Sequence, residues 1–114
     1  MITRVDRGPR LSHAVRHGDT VYIAGQIADN LSGDIKMQAI DVLRKIDELL
    51  TKAGTERNKL LSVTVWLPHI GDFSAFNEVY DVWIPEDSTP ARACVESRLA
   101  DPRIKVEVAA IAAV

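Results

Sequence analysis

Two stretches of helical periodicity interrupt a chain otherwise made of strand-like runs, and that pairing limits what the sequence can fold into. From Ile35 to Ala53 the apolar residues Ala39, Val42, Leu43, Ile46, Leu49, Leu50 and Ala53 recur at spacings of three and four, giving one apolar stripe about five turns long. Asp34 precedes it as a favourable N-cap and Gly54 follows it as a stop. The second stretch begins at Asp72 as N-cap, carries Phe73, Phe76, Val79, Tyr80 and Trp83 on one face, and is closed by Pro85.

The remaining chain reads as strands and turns. Ile2 to Val5 forms a short opening strand that Gly8-Pro9 stops. His13 to Arg16 and Val21 to Ala24 flank His17-Gly18-Asp19-Thr20, a turn sequence suited to a β-hairpin. Leu60 to Leu67 alternates Val63, Val65 and Leu67 with Ser62, Thr64 and Trp66 until Pro68. Ala91 to Glu96 alternates like a strand, and after the turn at Asp101-Pro102 the last strand runs from Ile104 to Val114.

The order is therefore strand, hairpin, helix, strand, helix, strand, strand, without an internal repeat or linker. At 114 residues this is one α+β domain spanning residues 1–114. Two such helices can both cover one face of a sheet, which leaves the other face without a partner inside the chain. That bare face calls for another subunit.

Charge and cysteine usage narrow the setting. Fourteen Lys and Arg against sixteen Asp and Glu give a net charge of -2 with both signs interspersed, so no basic nucleic-acid footprint is present and nucleic acid is not an expected partner. Cys94 is the only cysteine, which excludes an internal disulfide and a cysteine-based zinc cluster and points to a reducing, cytoplasmic setting. The N-terminus lacks a signal-peptide apolar core, and no apolar run approaches the ~20 residues of a membrane span.

Side-chain alternation puts Arg92, Cys94 and Glu96 on one face of the penultimate strand, and groups Lys105, Glu107 and Ala109 on one face of the last. An Arg and a Glu pointing inward from neighbouring strands would be costly to bury unless paired or used. Arg suits fork-to-fork recognition of a carboxylate, and a nearby Glu can hold or deprotonate a water. On the residues alone, plainer roles stay open: Arg92 as a surface or salt-bridge residue, Glu107 as its structural partner, and Cys94 as an inert core thiol. His13 and His17 lie on a strand and its turn, so their spacing is not the helical metal-binding arrangement, and His69 lies in a loop. The six glycines are isolated rather than gathered into a phosphate loop, and Trp66, Phe73, Phe76 and Trp83 read as packing.

The segment Thr89-Pro90-Ala91-Arg92-Ala93-Cys94-Val95-Glu96, followed by Ile104-Lys105-Val106-Glu107-Val108-Ala109-Ala110-Ile111-Ala112, closely resembles the C-terminal signature of the reactive intermediate deaminase family, also called YjgF-like or RutC-like. Ser12-His13-Ala14-Val15, Val21 to Ile27 and Asp72 to Asn77 match further segments in the same order, and the likeness is strongest to small bacterial YoaB-like members. The resemblance implies a chorismate-mutase-like α+β fold with two helices on one face of a mixed sheet, assembled as a homotrimer with a cleft at each subunit interface. It implies hydrolysis of enamines and imines of small 2-amino acids to 2-keto acids and ammonia, without metal or organic cofactor. Arg92 matches the arginine that clamps the substrate carboxylate and Glu107 the acid associated with the attacking water. Cys94 matches the cleft cysteine, Gly25 a backbone approach point near the ligand, and Asn77 a helix residue near the cleft. The chain departs from the family's deaminases at Leu11, where they carry tyrosine, at His13 in a glutamine position, and at Ala24, where many have serine. Leu11 and Ala24 motivate a second expectation, a non-catalytic trimer that binds a small carboxylate metabolite or a partner protein in the same cleft. A ribonuclease or translation-inhibitor role, described for some relatives, gains little from the acidic charge balance.

Overall fold

In a computed structural model that describes all 114 residues, the helical stripes and the strand runs assemble into two layers only, with extents of 41 × 37 × 19 Å. The strands are β1 (Ile2–Arg7), β2 (Ser12–His17), β3 (Thr20–Gln26), β4 (Leu60–Leu67), β5 (Ala91–Glu96) and β6 (Glu107–Ala113). The helices are α1 (Ile35–Lys52) and α2 (Phe73–Trp83). One six-stranded sheet has the order β1-β2-β3-β6-β4-β5, antiparallel throughout except for the parallel pair β4 and β5 joined through α2.

Local chemistry explains the element boundaries. Gly18 adopts φ +61° in the two-residue turn between β2 and β3, a conformation suited to glycine. Asp34 Oδ1 accepts from the Met37 N–H at 2.9 Å and caps α1, and Gly54 at φ +87° ends it. Asp72 departs from expectation: it occupies the position before α2 but makes no side-chain cap bond. A 3-10 turn over Ile70–Asp72 leads into the helix instead, and Glu96 Oε2 accepts the Ile70 N–H at 2.9 Å.

The last strand is also shorter than its apolar pattern predicts. Ile104 and Val106 are buried, yet the ladder begins only at Glu107. The cause is Gln38, a buried amide of α1 that takes the place of a neighbouring strand. Its Oε1 accepts the Lys105 N–H at 2.9 Å, while its Nε2 donates to the carbonyls of Gly33 and Arg103 at 3.1 and 3.0 Å.

Both helices pack on the same sheet face. Val21, Ile23, Val63, Val65, Leu67, Val108, Ala110 and Ala112 point into that core against Val42, Leu43, Ile46, Leu50 and Phe76. The opposite face carries Tyr22, Ile111, Ser62, Thr64, Ala109, Trp66 and the exposed Ala91, Ala93 and Val95, with no layer above it in the chain. Tyr22 is 49% exposed and Ile111 36%, so the bare face inferred from helix count is present and apolar.

Candidate functional site

The topology separates two groups that the sequence pattern had placed together. β5 and β6 are not neighbours, because β4 lies between them. Arg92 is in register with Val63, whose side chain enters the core, so Arg92 points to the helix face. Glu107 is in register with Trp66, which alternates with the buried Val65 and Leu67, so Glu107 points to the bare face. The expected inward-facing pair on adjacent strands is thus corrected. Alternation along each strand holds, but alternation within a strand says nothing about which faces of two strands coincide.

Arg92 sits on the edge strand beneath α2. Its Nη1 donates to Asn77 Oδ1 at 2.8 Å. The guanidinium carbon lies 4.6 Å from the centroid of the Tyr80 ring, 5.8 Å from Phe73 and 5.9 Å from Phe76. No carboxylate approaches it within salt-bridge distance, although eight other ion pairs form across the chain. A half-buried arginine held by a neutral amide and aromatic faces is left with most of its five donors, and its charge, without a partner in the chain. Helical spacing creates this cradle, since Phe73, Phe76, Asn77 and Tyr80 recur at three and four along α2. Tyr80 and Phe73 were not singled out with Arg92 from sequence, where the aromatic residues of the second helix read as core; the signal was that spacing, opposite a strand arginine. Burial pushes the Tyr80 hydroxyl up, partly opposed by the Arg92 charge.

Cys94 follows Arg92 on the same face and packs against the core. Burial raises its thiol, partly opposed by Arg92, so it is mostly protonated at neutral pH rather than an activated nucleophile.

Glu107 stands at the mouth of β6 on the other face, half-buried, with no hydrogen-bond or ionic partner, and burial raises its carboxyl above the ordinary range. Gly25 makes room for it: a Cβ there would lie 2.0 Å from Glu107 Oε2 and 2.9 Å from its Cδ. The register of β3 on β6 shifts between Ile23 and Gln26, and this irregularity turns Gly25 toward the carboxylate. Gln26, 3% exposed, pins the irregularity through its Nε2, which donates to Ala24 O at 3.0 Å and to His13 Nδ1 at 3.1 Å. One chain therefore holds Arg92, Asn77 and Cys94 in one group, and Glu107 and Gly25 in another. A groove of about 530 Å³ between α1 and α2, lined by Ile40, Leu43, Val79, Val82 and Trp83, contains neither charge.

The family model for endoribonuclease L-PSP matches residues 1–114. The chain belongs to this family, the YjgF or RutC group. It is 37% identical over 114 residues to a RutC family protein of Haemophilus ducreyi, covering 100% of this chain and 97% of that one. RutC family protein YoaB of Escherichia coli is 35% identical over 113 residues, covering 99% and 98%. The solved structure of a Pseudomonas aeruginosa protein superposes with a TM-score of 0.96 at 43% identity, covering 99% and 98% of the two chains. The resemblance read from the C-terminal signature, including its likeness to YoaB, is borne out. No helix of this member is long and apolar enough to cross a membrane.

Proposed function

We propose that this RutC-family chain hydrolyses reactive imines and enamines of small 2-amino acids to 2-keto acids and ammonia, without a cofactor, in clefts formed between copies of a cytoplasmic homotrimer. The observation that carries the reading is the pair of half-buried charges without an ionic partner, Arg92 and Glu107, on opposite faces of a sheet with one bare side. Half-exposed in one chain, these charges cost little there, but a second copy that excludes water makes them costly unless assembly or ligand uses them. A second copy laid on the bare face meets Glu107 there, and its own Arg92 edge supplies the other half of the cleft.

The chemistry follows from the groups. Arg92 binds the substrate carboxylate with its free fork, while Asn77 and Tyr80 fix the guanidinium plane. Glu107, raised by burial and therefore more basic than a solvated carboxylate, accepts a proton from water as the oxygen adds to the iminium carbon. It returns that proton to the amino group of the carbinolamine. The C–N bond then breaks, ammonia leaves with the electron pair, and loss of the hydroxyl proton yields the keto acid.

The test is keto-acid formation from imines generated in place by an amino-acid oxidase. Purified protein is expected to accelerate it, and Arg92→Ala to remove most of the acceleration. A wild-type protein that leaves the uncatalysed rate unchanged refutes the enzymatic reading. Arg92-dependent carboxylate binding in that protein would instead support the non-catalytic alternative motivated by Leu11 and Ala24.

A further inference from the structure

The surroundings of Arg92 change character along β5, and the change bears on which ligands fit. Beside Arg92 stand Asn77 and Tyr80. Four residues on, Glu96 reaches the Ile70 N–H just ahead of α2, so strand and helix run in opposite directions along one track. Between the two ends lie Cys94 on the strand and Phe73 in the first turn of the helix. Phe76, on the same helix, is fully buried, whereas Phe73 is 41% exposed although its ring lies 5.8 Å from the guanidinium. The track thus presents a cation without an ionic partner, then a partly exposed apolar ring, then a carboxylate.

We infer that Phe73 and Glu96 set the substrate class: the ligand carboxylate docks on Arg92, its apolar substituent lies on Phe73 toward Cys94, and Glu96 turns away ligands with a second carboxylate. The inference rests on the reading of Arg92 as the carboxylate anchor. Its geometry is simple. Arg92 and Glu96 are about 13 Å apart along an extended strand. A five-carbon diacid spans about 5 Å between its carboxylates, so with one end about 4 Å from the guanidinium the other lies about 9 Å along, which leaves about 4 Å to Glu96. A branched apolar substituent ends at the Phe73 ring instead. Imines and keto acids with one carboxylate and an apolar side chain are the favoured class.

Calorimetric titration with the keto acids corresponding to leucine and to glutamate tests this without turnover. Wild-type protein is expected to bind the leucine keto acid about tenfold or more tighter than the glutamate keto acid. Glu96→Gln keeps an acceptor for the Ile70 N–H and removes the charge, so it should tighten the glutamate keto acid alone, by about three- to fivefold. Phe73→Ser should weaken the leucine keto acid by about tenfold and the glutamate keto acid by less, so that the wild-type preference shrinks. Equal binding of both keto acids by the wild type, or a preference unchanged in both variants, overturns the inference. If Arg92→Ala binds both as tightly as wild type, the anchor itself is wrong and the inference falls with it. Selective, Arg92-dependent binding without imine hydrolysis upholds the inference and removes only the catalytic step.

Discussion

Mixing two inactive variants should restore activity, because one chain cannot bring Arg92 and Glu107 to the same substrate. The separation can be worked from the register. Val63 pairs with both Arg92 and Ala110, so Arg92 lies two strands away from β6 and three positions beyond Glu107. At strand spacings of ~4.8 Å and a rise of ~3.3 Å per residue, the in-plane offset is about 14 Å, and side chains leaving opposite faces raise the distance to about 17 Å. The carboxylate and imine carbons of an imino acid are bonded to each other, so the proposed site must draw its two groups from different copies. Arg92→Ala and Glu107→Gln proteins should each retain about 1% of wild-type kcat/KM or less. Co-expressed in equal amounts, they place an intact Arg92 against an intact Glu107 at about one quarter of interfaces, and that fraction of wild-type activity should return. Wild type mixed with the Arg92→Ala/Glu107→Gln double variant should also give about one quarter, whereas a site contained in one chain would give about one half. The assay is keto-acid formation on the unfractionated co-expressed protein. A single-variant mixture no more active than its components refutes the shared site.

Four further outcomes follow from the same geometry. Arg92→Lys keeps the charge but loses the planar fork and the stack on Tyr80, so KM for imino acids should rise by about tenfold or more with kcat changed less, read by steady-state kinetics. Gly25→Ala forces the flexible end of Glu107 aside, so urea melts should shift by less than about 1 kcal/mol while kcat falls about a hundredfold; unchanged kcat would free Glu107 of its role. Gln38→Leu strands the Lys105 N–H and the Gly33 and Arg103 carbonyls inside the fold, and should cost about 3 kcal/mol or more in denaturant unfolding. Glu107 has a carboxyl raised in the folded state, so its ionisation opposes folding above the ordinary value of 4.5 and is without effect well below it. Glu107→Gln should therefore raise Tm at pH 7 and leave it unchanged near pH 3.5.

The sequence carried most of the architecture because helix and strand periods are local. The α1 stripe, its Asp34 cap, the Gly18 turn and the whole of β4 fall where period and punctuation put them. Ile104 to Val106 failed for a non-local reason: a residue of α1, Gln38, satisfies Lys105 from 67 positions away, and no local pattern announces that bond. The face shared by Arg92 and its aromatic neighbours was legible from spacing on α2, yet their meeting depended on β5 lying beneath that helix. The separation of Arg92 from Glu107 was hidden for the same reason. Strand order is a tertiary fact, and inserting β6 between β3 and β4 sends two similar alternating segments to different neighbours and opposite faces.

Arg92 and Glu107 also explain why so small a chain can support the proposed chemistry. A single sheet with helices on one side encloses no catalytic cavity, and a cavity cut into a core of 21 residues would remove contacts the fold needs. Placing one charge on the edge strand and the other on the bare face leaves that core intact. Imine hydrolysis then demands only that the carboxylate be oriented and a water be held, because the reaction already proceeds in water. The electrostatic strain is small in one chain, since both groups stay half-exposed and solvent screens them. In the proposed assembly it grows as a second copy excludes water, and the ligand carboxylate relieves it at Arg92. Ligand should therefore strengthen association between copies: thermal unfolding of the Arg92-intact protein should shift upward with saturating keto acid, and the shift should vanish in Arg92→Ala. A ligand-induced shift of equal size in both proteins would place the carboxylate elsewhere.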